Sequence, residues 1–200
     1  MRRLLAATKN AHKTAEIRSI LGAGWDVTDL TGHPHIPAPE ETGATFGENA
    51  RIKAEAASLV FPGLVLSDDS GLEVDALGGA PGVHSARYAG PHGGDAENRA
   101  RLKRELHAVI PPDGKWTARF RCAMALAESG RTVATFDGSV EGRIVPGERG
   151  AGGFGYDPIF IPDGYGETFG QLPPEVKNRL SHRARALVQV RAFLEGRQRE

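Results

Sequence analysis

Apolar and polar positions along the chain follow two periods, and the switch between them predicts the elements. Leu4-Leu5-Ala6-Ala7 is a short unbroken apolar run, the pattern of a strand buried on both faces. Thr8 to Lys13 is a polar turn. Ala11 to Leu21 then sets Ile17, Ile20 and Leu21 at i, i+3 and i+4, one face of a helix, and Gly22 to Gly24 stops it. Trp25 to Leu30 predicts a second strand. Residues 32–43, with Pro34, Pro37, Pro39 and Gly43, predict a loop. Thr45 followed by Glu48 matches a capping box. It opens a helix to about Val60 with Phe46, Ala50, Ala54 and Ala57 on its apolar face. Pro62-Gly63 breaks that helix. Leu64-Val65-Leu66 predicts a buried strand ending in Ser67-Asp68-Asp69-Ser70-Gly71.

Further on, the glycine-rich run from Gly78 to Gly94 predicts little regular structure. A helix from about Ala96 gathers Leu102, Leu106, Val109 and Ile110 on one face. Thr117 to Ala127 and Thr132 to Val140 read as neighbouring strands turned at Glu128-Ser129-Gly130. Pro146 to Gly155 is a loop with five glycines, and Pro158 to Ile161 is a further strand candidate. A last helix runs from about Ser181 to Glu195, with Ala184, Leu187, Val188 and Leu194 apolar and Gly196 as its C-cap. Early strand–helix alternation followed by consecutive strands predicts an α/β fold with a mixed sheet. No repeat or long linker divides residues 1–200, so a single domain is expected.

Composition sharpens this in three ways. Glycine (26) and proline (13) exceed the usual share of about 12% in 200 residues, so specialised turns are expected. Lys plus Arg and Asp plus Glu both number 25, and the zero net charge argues against a nucleic-acid binder or a basic membrane-surface protein. Cys122 is alone, which excludes a disulfide framework or a cysteine zinc cluster within the chain. No apolar run reaches the roughly 18 residues of a membrane span, and the first apolar run is too short for a signal peptide. A cytoplasmic protein is expected.

Five segments carry candidate chemistry. Thr8-Lys9-Asn10-Ala11-His12-Lys13 opens a helix, where free N–H groups and the dipole favour phosphate; the alternative is ordinary capping by Thr8 or Asn10 with a surface lysine. Asp68-Asp69-Ser70-Gly71 offers two carboxylates for magnesium or for a water-activating base; the alternative is a polar turn. Glu40-Glu41-Thr42-Gly43, with Glu48 and Lys53 beyond, offers acids to complete a metal shell, or a solvated acidic loop. Gly152-Gly153-Phe154-Gly155-Tyr156-Asp157-Pro158 combines glycines for close backbone approach, Phe154 for stacking on a base and Asp157 as an acceptor; a tight loop with its aromatics in the core is the other reading. Lys177 and Ser181-His182-Arg183 suggest an anion or base-reading site, or else a helix start with a solvent-facing arginine.

In this order the segments closely resemble the Ham1-like inosine/xanthosine triphosphate pyrophosphatases. Leu77-Gly78-Gly79-Ala80-Pro81-Gly82-Val83 and Ser85-Ala86-Arg87-Tyr88 extend the resemblance, as do Thr45-Phe46, Glu48-Asn49-Ala50 and Lys53-Ala54. Lys9 stands where some members have glycine. The resemblance implies hydrolysis of deaminated purine nucleoside triphosphates (ITP, dITP, XTP) to the monophosphate and pyrophosphate. It implies Mg2+ dependence, a homodimer, and a long curved mixed β-sheet flanked by helices, in two lobes with the active site in the cleft between them. Carried over, Thr8, Lys9, Asn10, Ala11, His12 and Lys13 would hold the triphosphate and Lys53 would add charge. Glu41 and Asp69 would bind magnesium, with Asp69 also the general base, and Ser70 would touch substrate. Phe154, Gly155, Tyr156 and Asp157 would frame the base, Lys177 would contact the nucleotide, and His182 with Arg183 would read its 6-carbonyl edge. Glu40, Glu48 and Asp68 would be helpers at most. A sensor that binds without turnover, and a pyrophosphatase of the same fold acting on other modified nucleotides, are the competing readings.

Overall fold

The computed structural model describes residues 2–36, 38–111 and 114–197. Pro37, one of the expected loop prolines, lies outside them. The elements follow in the order β1 (Arg2–Ala6), α1 (Ala11–Leu21), β2 (Trp25–Asp29), α2 (Phe46–Ser58), β3 (Leu64–Val74), α3 (Asp95–Val109), β4 (Thr117–Glu128), β5 (Arg131–Ile144), β6 (Phe160–Pro162), α4 (Pro174–Leu180) and α5 (His182–Gly196). The strands form one sheet in the order β2-β1-β3-β4-β5-β6. β1 runs parallel to both β2 and β3, with Leu4 opposite Val27 and Leu64, whereas β5 and β6 are antiparallel. The mixed α/β class expected from the sequence is what forms.

The chain divides into two compact units. Residues 1–69, 122–138 and 183–200 make the first. In β1, Leu4 and Ala6 join a core with Ile17, Leu21, Val27, Leu66, Met124, Leu187 and Val190. Leu5 turns to the opposite face, among Ala7, Leu30, Ile36, Ala57, Phe61 and Val65. Side chains alternate across a strand, so a run that is apolar at every position needs cover on both sides. Each large side chain buried this way contributes about 1.5–3 kcal/mol. Ala50 and Ala54 of α2 meet Ala125 and Ala127 of β4, and these small residues let helix and strand approach closely. The β4–β5 turn places Ser129 at φ 52° and Gly130 at φ 77°, the two positive angles of a type I′ hairpin turn.

Residues 70–121 and 139–182 make the second unit. Leu72, Val74, Leu102, Leu106, Trp116, Val140 and Ile159 surround an aromatic group. In that group the Phe120 and Phe160 rings meet edge to face, 4.7 Å apart.

Four expectations change. β3 does not end at Leu66 but continues through Asp68, Asp69, Ser70 and Gly71 to Val74, because its buried acids find cationic partners and so do not break the ladder. The Gly78–Gly94 stretch contains a 3₁₀ turn at Gly82–Arg87, preceded by another at Asp75–Leu77. α4 is unforeseen; Pro174 at its start and Glu175 in its first turn are the available signals. α5 includes Gly196 in its last turn. Among the described residues no helix is long and apolar enough to cross a membrane.

Candidate active site

The first unit assembles the expected phosphate and carboxylate residues. At the start of α1, Asn10 is the N-cap, and its Oδ1 accepts from the His12 and Lys13 N–H groups at 2.9 and 3.3 Å. The Asn10 N–H donates to Thr8 Oγ1 at 3.1 Å. These donors are therefore occupied by the chain's own cap, and a phosphate here would compete with the Asn10 side chain. Lys9, Ala11 and His12 are exposed. Lys13 reaches across to Asp68, with its Nζ 2.9 Å from Oδ2.

Asp68 and Asp69 are neighbours on β3, so they serve separate partner sets. Asp68 is buried and holds Lys13 and Arg183. Arg183, at the start of α5, donates from Nε and Nη2 to Asp68 Oδ2 at 3.3 and 3.2 Å and from Nη1 to Glu16 at 2.5 Å. It is only 1% exposed. A solvent-facing arginine is not what the structure presents; all three guanidinium nitrogens meet carboxylates. Burial opposes ionisation of Asp68, yet Lys13, Arg183 and Lys53 outweigh it and hold the carboxyl well below the usual range.

Asp69 faces Lys53 and Asn49 on α2. Lys53 Nζ lies 3.1 Å from Asp69 Oδ1 and 2.8 Å from Glu41 Oε1, so one ammonium is shared by two carboxylates. Asn49 Nδ2 donates to Asp69 Oδ2 at 3.2 Å. Burial pushes the Asp69 carboxyl up, and Lys53 and Asn49 offset this only in part while Glu41 adds to it. The Lys53 ammonium is opposed by burial but held above its ordinary value by Asp69, Asp68 and Glu41. Glu48 does not join this group. Its carboxylate accepts from the Ala44 and Thr45 N–H groups at 2.8 and 3.1 Å, completing the expected capping box.

The residues fit a magnesium ion in one specific respect. Glu41 and Asp69 both lie within 3.1 Å of a single positive nitrogen, so the pair already accommodates a shared cation through oxygen donors. Among the described residues no group of three or more metal-ligating side chains occurs. Magnesium does not require one, since it takes one or two carboxylates plus water and substrate phosphate.

The second unit holds the expected base-framing residues. Asp157 is buried; its Oδ2 accepts from the Phe154 N–H at 2.8 Å and from Lys177 Nζ at 2.7 Å. The Lys177 ammonium also lies 4.7 Å from the centre of the Phe154 ring. Gly155 is clamped at both backbone groups, its N–H by Asp95 at 2.7 Å and its carbonyl by Arg99 at 2.7 Å. Tyr156 packs into the core and donates to the Ser85 carbonyl at 2.9 Å. His182 stacks on Phe120, with ring centres 4.9 Å apart and planes 13° from parallel. Ser70 is half-buried on β3.

Gly153 sits at φ 74°, and a Cβ there would overlap the Asp157 carboxylate. Gly153→Ala is expected to cost about 1–2 kcal/mol from the backbone alone, and more from the displaced Asp157–Lys177 pair. Thermal melting reads this as a fall of several degrees; an unchanged midpoint would remove Asp157 from its place as the loop's anchor.

Glu16, Asp95 and Arg99 escaped the sequence reading, whereas Gly43 and Asn49 stand inside its quoted segments without a role assigned to them.

The geometry has counterparts in known proteins. A dITP/XTP pyrophosphatase of Geobacillus kaustophilus is 50% identical over 191 residues, covering 95% of this chain and 93% of that protein. A solved Ham1 protein from Coxiella burnetii superposes with TM-score 0.86 at 38% identity, covering 98% of this chain and 100% of its own. A Mycobacterium abscessus structure described as a nucleoside-triphosphatase, dITP/XTP pyrophosphatase, gives TM-score 0.74 at 41% identity over 94% of this chain and 98% of that one. The model of the Ham1 family matches residues 4–193, nearly the whole length, and the chain belongs to that family.

Proposed function

We propose that this protein is a nucleoside-triphosphate pyrophosphatase that hydrolyses deaminated purine nucleotides, ITP, dITP and XTP, to the monophosphate and pyrophosphate. The observation that carries the reading is the Lys53 ammonium shared between Glu41 and Asp69 on a buried strand. Relatives named dITP/XTP pyrophosphatase, at 46–50% identity along most of the chain, support the substrate class.

Cleavage between the α- and β-phosphates needs a water deprotonated as it attacks and positive charge on the departing pyrophosphate. Asp69 is the candidate base. Its two oxygens are held in place by Lys53 and Asn49, which suits a positioned base. Lys53, kept charged by three acids, and Lys13 are the cations within the same unit. Magnesium, held by Glu41 and Asp69, would supply further positive charge to phosphate oxygens. Thr8 to Lys13 would meet the triphosphate, with Asn10 yielding its cap donors. In the second unit, Phe154 to Asp157 and Lys177 are the proposed platform for the base, beside the proposed substrate contacts Ser70 and His182. A homodimer in the cytoplasm remains part of the proposal.

The test is a panel of common and deaminated triphosphates with magnesium, in which pyrophosphate and orthophosphate are assayed separately. Pyrophosphate and IMP from ITP, without orthophosphate and abolished by chelator, are expected. Binding of ITP without product would replace the enzyme by a sensor; orthophosphate as the first product would place the cleavage at the wrong bond.

A further inference from the structure

We propose that Asn49 is a positioning residue, holding Asp69 with one end of its carboxamide and the Glu41-bearing loop with the other. The inference rests on the hydrolytic reading above, with Asp69 as base. Asn49 is fully buried in the first turn of α2, directly after the capping box. Its Nδ2 donates to Asp69 Oδ2 at 3.2 Å, and its Oδ1 accepts the Gly43 N–H at 2.8 Å. A carboxamide has one donor end and one acceptor end at fixed separation. It can therefore satisfy a carboxylate and a backbone N–H together, which neither Asp nor an apolar residue of the same size can do.

Lys53 lies one helical turn beyond Asn49, on the same face. The two side chains take different oxygens of one carboxylate: Asn49 takes Oδ2 and Lys53 takes Oδ1. The Asp69 side chain is thereby fixed in rotation, with Oδ1 on the side of Lys53 and Glu41. The other end of the amide fixes the loop. Gly43 stands two residues from Glu41, and a Cβ on Gly43 would come within 2.6 Å of Glu48 Cβ and 2.7 Å of Asn49 Oδ1. The loop thus lies directly on α2, and only glycine permits the contact. Asn49 couples the placement of Glu41 to that of Asp69.

Asn49→Ala and the similar-sized Asn49→Leu test this against ITP, with Asp69→Asn in parallel. A misplacement of about 1 Å costs about a hundredfold in rate. We expect kcat to fall roughly tenfold to a hundredfold in both Asn49 variants, with KM and the calorimetric Kd for ITP within about threefold of the parent. Gly43→Ala pushes on the same oxygen, and on Glu48 Cβ, from the loop side while keeping the Asn49 side chain, and is expected to lower kcat in the same manner. It also reads the coupling should the Asn49 variants fail to fold. A lowered melting temperature with parental kcat per folded molecule would make Asn49 merely structural and overturn the proposal. A raised KM with parental kcat would make it a substrate contact, with the same result. If Asp69→Asn keeps parental rates, Asp69 leaves the mechanism and the proposal falls with it, while the hydrolytic activity stands. If Asp69→Asn is inactive while the Asn49 and Gly43 variants turn over normally, the proposal alone fails.

Discussion

Asp69→Asn is expected to lower kcat for ITP by about 10²–10⁴-fold, the usual contribution of a positioned general base. Asn preserves the shape but cannot take a proton from water, and its amide would point a donor at either Lys53 or Asn49. Binding of ITP should remain measurable, because Lys13 and the α1 cap are untouched. Stability carries two opposing contributions. Burial raises the Asp69 pKa above its ordinary 3.8, so ionising it costs stability as pH rises from that value, a cost that a neutral Asn escapes. The same substitution removes one carboxylate from the largely buried Lys53 ammonium and turns an amide donor toward it or toward Asn49. A moderate fall in melting temperature is therefore expected alongside the loss of turnover. Pyrophosphate release, ITP calorimetry and thermal melting decide this. Parental rates would remove Asp69 from the mechanism, and a large fall in melting temperature would show that its ion pair supports the fold.

The backbone of this protein is largely legible in its sequence because local signals and global fold agree. Thr45 and Glu48 mark the start of α2 and form its capping box; Ala11 and Leu21 bound α1; Ser129 and Gly130 mark the β4–β5 turn. The misreading of β3 is more instructive. Asp68 and Asp69 looked like a strand end because unpaired acids do not stay inside a sheet. Their partners, Lys13 and Arg183 for one, Lys53 and Asn49 for the other, come from three different helices. No window of local sequence contains that compensation. The same limit hides Glu16, which is an ordinary helical glutamate until Arg183 arrives 167 residues later. The candidate site residues were singled out by type and order. What the sequence withheld was their pairing: Lys53 on two acids, Asp157 on Lys177, and Asn10 on the very N–H groups offered to phosphate.

Arg183→Ala is expected to be the most destabilising single substitution among the site residues. Removing one partner of a buried ion pair costs about 3–5 kcal/mol, because the remaining charge stays buried without compensation. Here two acids lose a partner: Asp68, whose side chain is 1% exposed and which keeps Lys13, and Glu16 at 13%. For a chain of this size that corresponds to a fall in melting temperature on the order of 10 °C. Arg183→Lys should recover only part of it, since lysine lacks the fixed fork by which separate guanidinium nitrogens meet Asp68 and Glu16. The double variant Arg183→Ala/Asp68→Asn should melt higher than Arg183→Ala alone, because the buried carboxylate, left with Lys13 as its ion-pair partner, has been neutralised. The pH dependence has a definite sign. Asp68 is held well below its ordinary 3.8, so its contribution is fully present above that value and is lost progressively as pH falls below it. The parent should therefore lose stability on acidification more steeply than Asp68→Asn. Substrate preference supplies the opposing outcome. A guanidinium that reads a base carbonyl would give Arg183→Ala a narrowed ITP-to-ATP ratio of kcat/KM at an unchanged melting temperature. That result would overturn the structural role. A large loss of stability with the ratio preserved would place Arg183 among the groups that hold β3, and leave discrimination of the base to the residues around Phe154 and Lys177.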